Sequence, residues 1–143
     1  MDIAIWNDSY KTGHAMVDKQ HEGLFKMVNE LHAAILDERG KEVLTPTLEK
    51  LAKYTVEHFQ SEEALMNRVQ YPGLSAHKQK HDDLTKQVKE LIEKYQTGKA
   101  VLTMTLSNFL ANWLRHHIKQ DDMALVKYVQ NQNKAAAAAT TKA

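Results

Sequence analysis

The sequence predicts an all-α protein, an up-down-up-down four-helix bundle preceded by an N-terminal arm. Three observations predict this fold. Apolar residues recur at intervals of three and four in four segments of about 20 residues, which is the spacing of one helix face. Glycine and proline number only five and two, and most of them fall between those segments. The 143 residues suffice for one domain with a single core.

The first two segments are separated by Gly40. One runs from about Val17 to Glu38, and the next from about Thr45 to Val69. We expect Thr45 to cap the second helix with Pro46 at the first helical position, where the missing N–H of proline costs nothing. The inward rows of these two helices are His21, Leu24, Val28, Leu31, Ile35, and then Leu48, Leu51, Thr55, His58, Glu62, Leu65, Val69.

The last two segments are delimited by Pro72-Gly73 and by Gly98. The third runs from about Leu74 to Tyr95, and the fourth from about Val101 to Val129. Because the connections are short, neighbouring helices are expected to be antiparallel. Their inward rows are Leu74, His77, His81, Leu84, Val88, Leu91, Tyr95, and then Leu106, Leu110, Trp113 or Leu114, His117, Leu125, Tyr128.

The two ends of the chain lie outside this pattern. The arm, residues 1–15, carries Ile3, Ile5 and Trp6, so we expect it to pack against the bundle. The bundle domain is expected to span residues 1–131. The tail, residues 132–143, is rich in alanine but has no amphipathic pattern, and we expect it to be frayed or disordered.

Charge and composition exclude several classes of function. Lysine and arginine total 19 and aspartate and glutamate 18, a net charge of +1 that disfavours a nucleic-acid footprint or a polybasic membrane patch. Cysteine is absent, which excludes disulfides, thiolate nucleophiles and cysteine-ligated metals. No apolar run reaches the roughly 20 residues that span a bilayer, and the N-terminus lacks the basic region of a secretory signal. We therefore expect a cytoplasmic protein without membrane insertion.

Histidine is the unusual residue, with eight in the chain. Several polar residues occupy inward positions where a bundle needs apolar side chains: His21, His58, Glu62, His77, His81 and His117. Burying each without a partner costs up to several kcal/mol, whereas a whole domain is stable by only about 5–15 kcal/mol. The pairs His58/Glu62 and His77/His81 are four residues apart, so each pair shares a helix face. A metal site is the simplest compensation.

A lone inward histidine is more often a hydrogen-bonded core residue than a ligand, but the conjunction on four helices favours metal. Nitrogen and oxygen ligands without sulfur suit Zn, Mn, Fe, Ni or Cu. Five imidazoles exceed the needs of one tetrahedral zinc and, with bridging carboxylates, suit two ions. A ferritin-like centre needs Glu-x-x-His, and no histidine here has a glutamate three residues before it.

The spacing of these residues resembles the hemerythrin family, and within it the single-domain bacterial forms, over about Trp6 to Val129. The motifs that carry the resemblance are Asp18-x-Gln20-His21, His58-x-x-x-Glu62-Glu63, His77-x-x-x-His81 and Trp113-Leu114-x-x-His117-Ile118-x-x-x-Asp122. The resemblance implies a non-haem di-iron centre that binds O2. It implies that His77, His81 and His117 bind one iron and that His21 and His58 bind the other, which keeps an open position. Glu62, Asp122 and an oxo or hydroxo group would bridge the two irons.

One ligand conflicts with helical periodicity. Asp121 is four residues after His117 and shares its face, whereas Asp122 is rotated by about 140° in a regular α-helix. Periodicity alone selects Asp121. The family spacing selects Asp122, which we take as the ligand, with Asp121 as solvated surface. The same spacing makes Glu63 the outward neighbour of the ligand Glu62.

Apolar residues adjoin the expected ligands and would form a pocket for O2. Such a pocket excludes water and slows autoxidation, although plain core packing explains the same residues. They are Leu24, Phe59, Trp113, Leu114 and Ile118. Three histidines remain as structural or surface residues: His14, His32 and His116, of which His116 could line an access path.

The resemblance implies reversible O2 binding for storage, transport or delivery rather than catalysis. Two alternatives use the same di-iron site. One is O2 or redox sensing through a separate, unidentified protein partner. The other is a di-iron oxidase, peroxidase or iron-handling role, although no acid–base pair or substrate cleft is visible in the sequence.

Overall fold

The computed structural model describes residues 3–38, 40–99 and 101–141, and the regular secondary structure of these residues is helical. A short 3-10 turn, Asp8–Tyr10, precedes the first long helix. A π-helical turn, Ile118–Asp122, joins the last two helices without a loop. The long helices are α1 (Ala15–Leu36), α2 (Lys41–Arg68), α3 (Leu74–Gln96), α4 (Met104–His117) and α5 (Met123–Thr141).

The helices form the expected four-helix bundle, in which α4, the π turn and α5 together make the fourth rod. Helix α1 packs against α2 and α4, and α2 packs against α3. The described residues contain no strand. The all-α prediction and the predicted order of segments are therefore confirmed.

None of the helices in the described ranges combines the length and apolar character that crossing a membrane requires.

Two apolar clusters fill the bundle on either side of a buried polar layer. Along three of the rods, a buried polar residue lies between one residue of each cluster. These polar residues are His21 (between Val17 and Leu24), Glu62 (between Leu65 and Phe59) and Asp122 (between Leu125 and Ile118). The polar layer therefore lies inside the molecule, where water cannot compensate for its desolvation. Its side chains must satisfy one another or bind something else.

The arm packs against the bundle, as expected, and Asn29 of α1 holds it. The Asn29 Oδ1 atom accepts hydrogen bonds from the backbone N–H groups of Ile3 (2.9 Å) and Ala4 (2.8 Å), and its Nδ2 donates to the Ala4 carbonyl (2.8 Å). Trp6 packs edge-on against Phe25, with ring centroids 5.2 Å apart. Ile5 takes little part in this packing, because its side chain is 67% exposed.

Replacing Asn29 with alanine is expected to lower the free energy of unfolding by about 1–3 kcal/mol, because it leaves part-buried backbone groups of the arm without partners. Chemical denaturation monitored by circular dichroism measures the change. Asn67→Ala on the exposed side of α2 is the matched control and should change stability far less. Equal effects in the two variants would contradict the role given to Asn29.

The second helix begins earlier than the sequence predicts. It starts at Lys41 with Gly40 as N-cap, so the expected cap at Thr45 is wrong, and Pro46 lies inside the helix instead of at its first position. The ring of Pro46 removes one hydrogen bond within the first turns. Burial of Leu44, which is 7% exposed, favours the additional turn.

The last helix continues through the alanine run to Thr141. Its course agrees with the high helix propensity of alanine. The expected fraying of the tail and the domain boundary at residue 131 stay predictions. Residues 142 and 143 lie outside the described residues.

Candidate metal centre

The structure brings all of the predicted metal ligands together in the polar layer. Two overlapping groups of potential ligands, with donor atoms within 4.8 Å of one another, share both carboxylates. The first group is Glu62, His77, His81, His117 and Asp122, and the second is His21, His58, Glu62 and Asp122. Every member is buried. The arrangement therefore has two lobes, one with three histidines and one with two.

Glu62 lies between the two lobes and presents one oxygen to each. Its Oε1 atom is 3.1 Å from His81 Nε2 and 3.4 Å from His77 Nε2. Its Oε2 atom is 3.3 Å from His58 Nε2 and 3.5 Å from His21 Nε2. A carboxylate in this position can bridge two cations that are held by the two sets of imidazoles.

Asp122 bridges the same two lobes from the fourth rod. Its Oδ1 atom is 3.0 Å from His77 Nε2 and 3.2 Å from His117 Nε2. Its Oδ2 atom is 2.9 Å from His21 Nε2. The two carboxylates thus have equivalent roles, and four rods contribute to one site.

The buried polar atoms at the centre of this cluster lack hydrogen bonds, which tests whether a metal fits. Both carboxylate oxygens of Glu62 and of Asp122, both ring nitrogens of His21, and Nε2 of His77 make no hydrogen bond of acceptable geometry with the described residues. Some of them nevertheless lie only 2.9–3.0 Å from one another. Buried polar groups are ordinarily hydrogen-bonded, so such a concentration of unpartnered donor atoms needs an explanation. Imidazole nitrogens and carboxylate oxygens are ligands for iron and similar transition metals. The donor set fits two such ions.

Electrostatics in the cluster favour bound positive charge. Burial lowers the pKa of His21, but the carboxylates of Asp122 and Glu62 raise it by more, to about 9. Burial likewise opposes the effect of Asp122 on His117, whose pKa rises to about 10. Burial raises the pKa of Glu62, but the surrounding histidines, His21 first, hold it well below its usual value. The carboxylates are therefore ionised and can balance positive charge, which either protons on these histidines or bound cations can supply.

The π turn explains why Asp122 and not Asp121 enters the centre. The Met123 N–H bonds to the carbonyl of Ile118, five residues earlier, instead of four as in an α-helix. The wider turn brings the side chain at i+5 from His117 onto the inward face. Asp122 is fully buried beside His117 Nε2. Regular periodicity gave the wrong residue here, and the family spacing gave the one that the structure places in the cluster.

Three residues outside the cluster contact the far nitrogens of its histidines. Asp121 Oδ2 is 2.9 Å from His117 Nδ1, so its description as solvated surface is wrong. Glu63 Oε2 is 3.1 Å from His81 Nδ1. Gln20 Oε1 is 2.6 Å from His58 Nδ1. The i+4 spacing of Asp121 from His117 is a signal in the sequence. The contacts of Glu63 and Gln20 cross between helices, so spacing does not indicate them, and their only signal is that both residues belong to the motifs of the family resemblance.

An apolar cavity of about 40 Å³ adjoins the cluster. Its wall includes Leu24, Phe59, Trp113 and Leu114, four of the predicted pocket residues, but not Ile118, which is buried in the core. The Phe59 ring stacks on the His81 imidazole at 3.7 Å, and the Trp113 ring stacks on that of His117 at 4.5 Å. This cavity is large enough for a small molecule, and its apolar walls disfavour water.

The three remaining histidines lie outside the cluster and have local roles. His14 caps α1 by accepting a hydrogen bond from the Val17 N–H. His32 contacts the hydroxyl of Ser107 through Nδ1 at 2.7 Å. His116 is exposed and bonds to the carbonyl of Asn112.

Comparison with known proteins gives one consistent result. Residues 12–129 match the family described as Hemerythrin HHE cation binding domain. A bacteriohemerythrin of Pseudomonas aeruginosa (strain LESB58) is 35% identical, over 89% of this chain and 82% of that protein. A bacteriohemerythrin of Stenotrophomonas maltophilia (strain R551-3) is 32% identical, over 91% and 84%. A solved hemerythrin mutant matches with a TM-score of 0.85 at 30% identity, over 90% of this chain and 98% of that chain. The chain therefore belongs to the hemerythrin family.

Proposed function

We propose that this protein binds O2 reversibly at a non-haem di-iron centre and serves oxygen storage, transport or delivery. The observation that carries the proposal is the bridging position of Glu62 and Asp122 between a three-histidine lobe and a two-histidine lobe. In this proposal His77, His81 and His117 would hold one iron, and His21 and His58 would hold the other. Glu62 and Asp122 would serve both ions. The two-histidine lobe, which has fewer protein ligands, would be the one that takes O2.

When bound, a ferrous pair supplies the two electrons that reversible O2 binding requires. The chain itself fixes the ligands and keeps water out. The stacked rings of Phe59 and Trp113 restrain two of the histidines. The cavity lies one helical turn from both lobes, because its wall includes Leu24, three residues after His21, and Leu114, three residues before His117. A small uncharged gas matches this apolar space.

The same cavity favours the binding of O2 over the turnover of a larger substrate. Among the described wall residues, only Thr55 and Trp113 carry a polar side-chain atom, and neither is a titratable group for acid–base chemistry. We propose Leu24, Phe59, Trp113 and Leu114 as the residues that separate O2 from water. Ile118 would support this wall from the core.

The optical spectrum of the anaerobic reduced protein tests the proposal. On admission of air we expect a visible charge-transfer band, together with two irons per chain, and we expect the band to disappear when O2 is removed. Two zinc ions per chain and no colour would contradict the di-iron assignment. Rapid irreversible oxidation would favour the sensing alternative, and turnover of peroxide would favour the enzymatic one.

Replacing Leu114 with asparagine is expected to speed autoxidation of the oxygenated protein by about tenfold, equivalent to about 1.4 kcal/mol of activation free energy. The amide would bring hydrogen-bonding groups, and with them water, into the wall of the apolar cavity. The decay of the visible band in air measures the rate. Iron content should stay at the level of the original protein.

The matched control is Leu36→Asn, because Leu36 is 43% exposed at the end of α1 and lies outside the cavity wall. It should leave the rate unchanged. An unaltered rate in Leu114→Asn with full iron content would show that the wall does not protect the site.

A further inference from the structure

The histidines of the two lobes differ in what holds their outer ring nitrogens. In the three-histidine lobe, carboxylates contact Nδ1 of two rings: Glu63 at His81 (3.1 Å) and Asp121 at His117 (2.9 Å). A carboxylate only accepts hydrogen bonds, so each of these Nδ1 atoms carries the proton. The opposite nitrogen, Nε2, then faces the cluster as the ligand atom.

In the two-histidine lobe, none of the described carboxylates contacts an outer ring nitrogen. The partner of His58 Nδ1 is the amide oxygen of Gln20 at 2.6 Å, and Nδ1 of His21 has no hydrogen-bond partner among the described residues. The Gln20 amide is oriented in turn, since its Nε2 atom donates to the Ser61 hydroxyl at 3.4 Å. The Gln20 side chain thus has two contacts on α2, a short one to His58 and a longer one to Ser61.

This difference has a chemical consequence. A carboxylate that accepts the Nδ1 proton increases electron density on the imidazole and makes Nε2 a stronger ligand, and it also fixes the ring orientation. A neutral amide fixes the orientation but polarises the ring less, since hydrogen bonds to ionised partners are about twice as strong. Two of the three rings in one lobe receive the stronger effect, and neither ring in the other lobe does.

The two carboxylates are themselves held by lysines of α3. Lys80 Nζ lies 2.7 Å from Asp121 Oδ1, and Lys78 Nζ lies 4.0 Å from Glu63 Oε1. Both lysines are about half exposed, so solvent screens their charge and leaves the carboxylates able to act on the histidines. Each carboxylate thus has one partner outside and one histidine inside.

We propose that Glu63 and Asp121 are positioning residues that make the three-histidine lobe the tighter metal site, the one that fills first. Gln20 keeps the two-histidine lobe weaker and its ion less strongly coordinated. The inference rests on the proposed function, which supplies the two metal ions. It adds which of the two ions binds first and which binds more tightly.

Titration of the full chain, stripped of metal, with Co2+ tests the inference, followed by visible absorption of the bound ion. The original chain should bind Co2+ in two phases. Glu63→Gln and Asp121→Asn should each weaken the first phase about 10- to 100-fold, the usual effect of losing such an outer contact, and leave the second phase unchanged. Gln20→Glu should strengthen the second phase alone. Asp121→Glu should recover part of the affinity that Asp121→Asn loses.

The control is Asp83→Asn, which loses an exposed contact to Gln79 but approaches none of the cluster histidines or their outer partners. It should match the original chain in both phases. Unchanged first phases in Glu63→Gln and Asp121→Asn, or a single uniform phase in the original chain, would overturn this inference while leaving the metal centre intact. Failure of the original chain to bind Co2+ at all would overturn the metal centre itself, and the inference with it.

Discussion

Replacing Glu62 with glutamine is expected to reduce the iron content from two ions per chain to one or none. The two oxygens of Glu62 approach the Nε2 atoms of four histidines in both lobes. A neutral amide of the same shape removes the negative charge that compensates for burying cations there, and its nitrogen cannot serve as a carboxylate oxygen does. Metal analysis of the purified protein, together with the visible spectrum, measures the effect.

The isosteric change keeps the fold, so circular dichroism should still show a helical protein. Glu90→Gln on the exposed side of α3 is the matched control and should retain both ions. Two irons per chain in Glu62→Gln would show that this carboxylate does not bridge the lobes.

Removal of the metal ions is expected to destabilise the chain by at least about 4 kcal/mol. A ligand present at 1,000 times its dissociation constant stabilises the folded state by about that amount for each site. The structure gives the physical reason, since the charged layer between the two apolar clusters contains many unpartnered polar atoms. For a domain of this size the loss corresponds to a fall in Tm of about 10 °C or more.

Calorimetry of the protein before and after chelation measures the change, and re-addition of Fe2+ should reverse it. Mg2+ is the control, because it prefers oxygen ligands and water and should not replace iron among imidazoles. A Tm that is the same with and without chelator would mean that the polar layer is satisfied by the protein alone.

Much of this site is predictable from the sequence because inward rows are easy to recognise. The three-and-four spacing placed His21, His58 and Glu62 on core faces, and the structure confirms that each is buried there. A polar residue in such a row is conspicuous, since the neighbouring row positions are mostly apolar. The bundle and its order of segments follow from the same pattern.

The parts that sequence reasoning missed depend on deviations from regular geometry or on contacts between helices. Helical periodicity alone selects Asp121, because no sequence rule indicates the π turn, and only the family spacing selects Asp122. Helix α2 begins before its expected cap, because burial of Leu44 outweighs the local signal of Thr45 and Pro46. The contacts of Gln20 and Glu63 join different helices, and spacing within one helix carries no information about them.

The π turn allows consecutive residues to hold both sides of a single imidazole. Asp121 meets Nδ1 of His117 while Asp122 meets Nε2, although neighbours in a regular α-helix diverge by about 100°. Such a turn contains one residue more than the corresponding turn of an α-helix, as if a single residue had been inserted there. A single insertion in the fourth rod would therefore supply, at once, a bridging ligand and the residue that orients the ligand beside it. Deletion of one residue from this turn is the reverse step, and it would leave His117 with only one of its two aspartates.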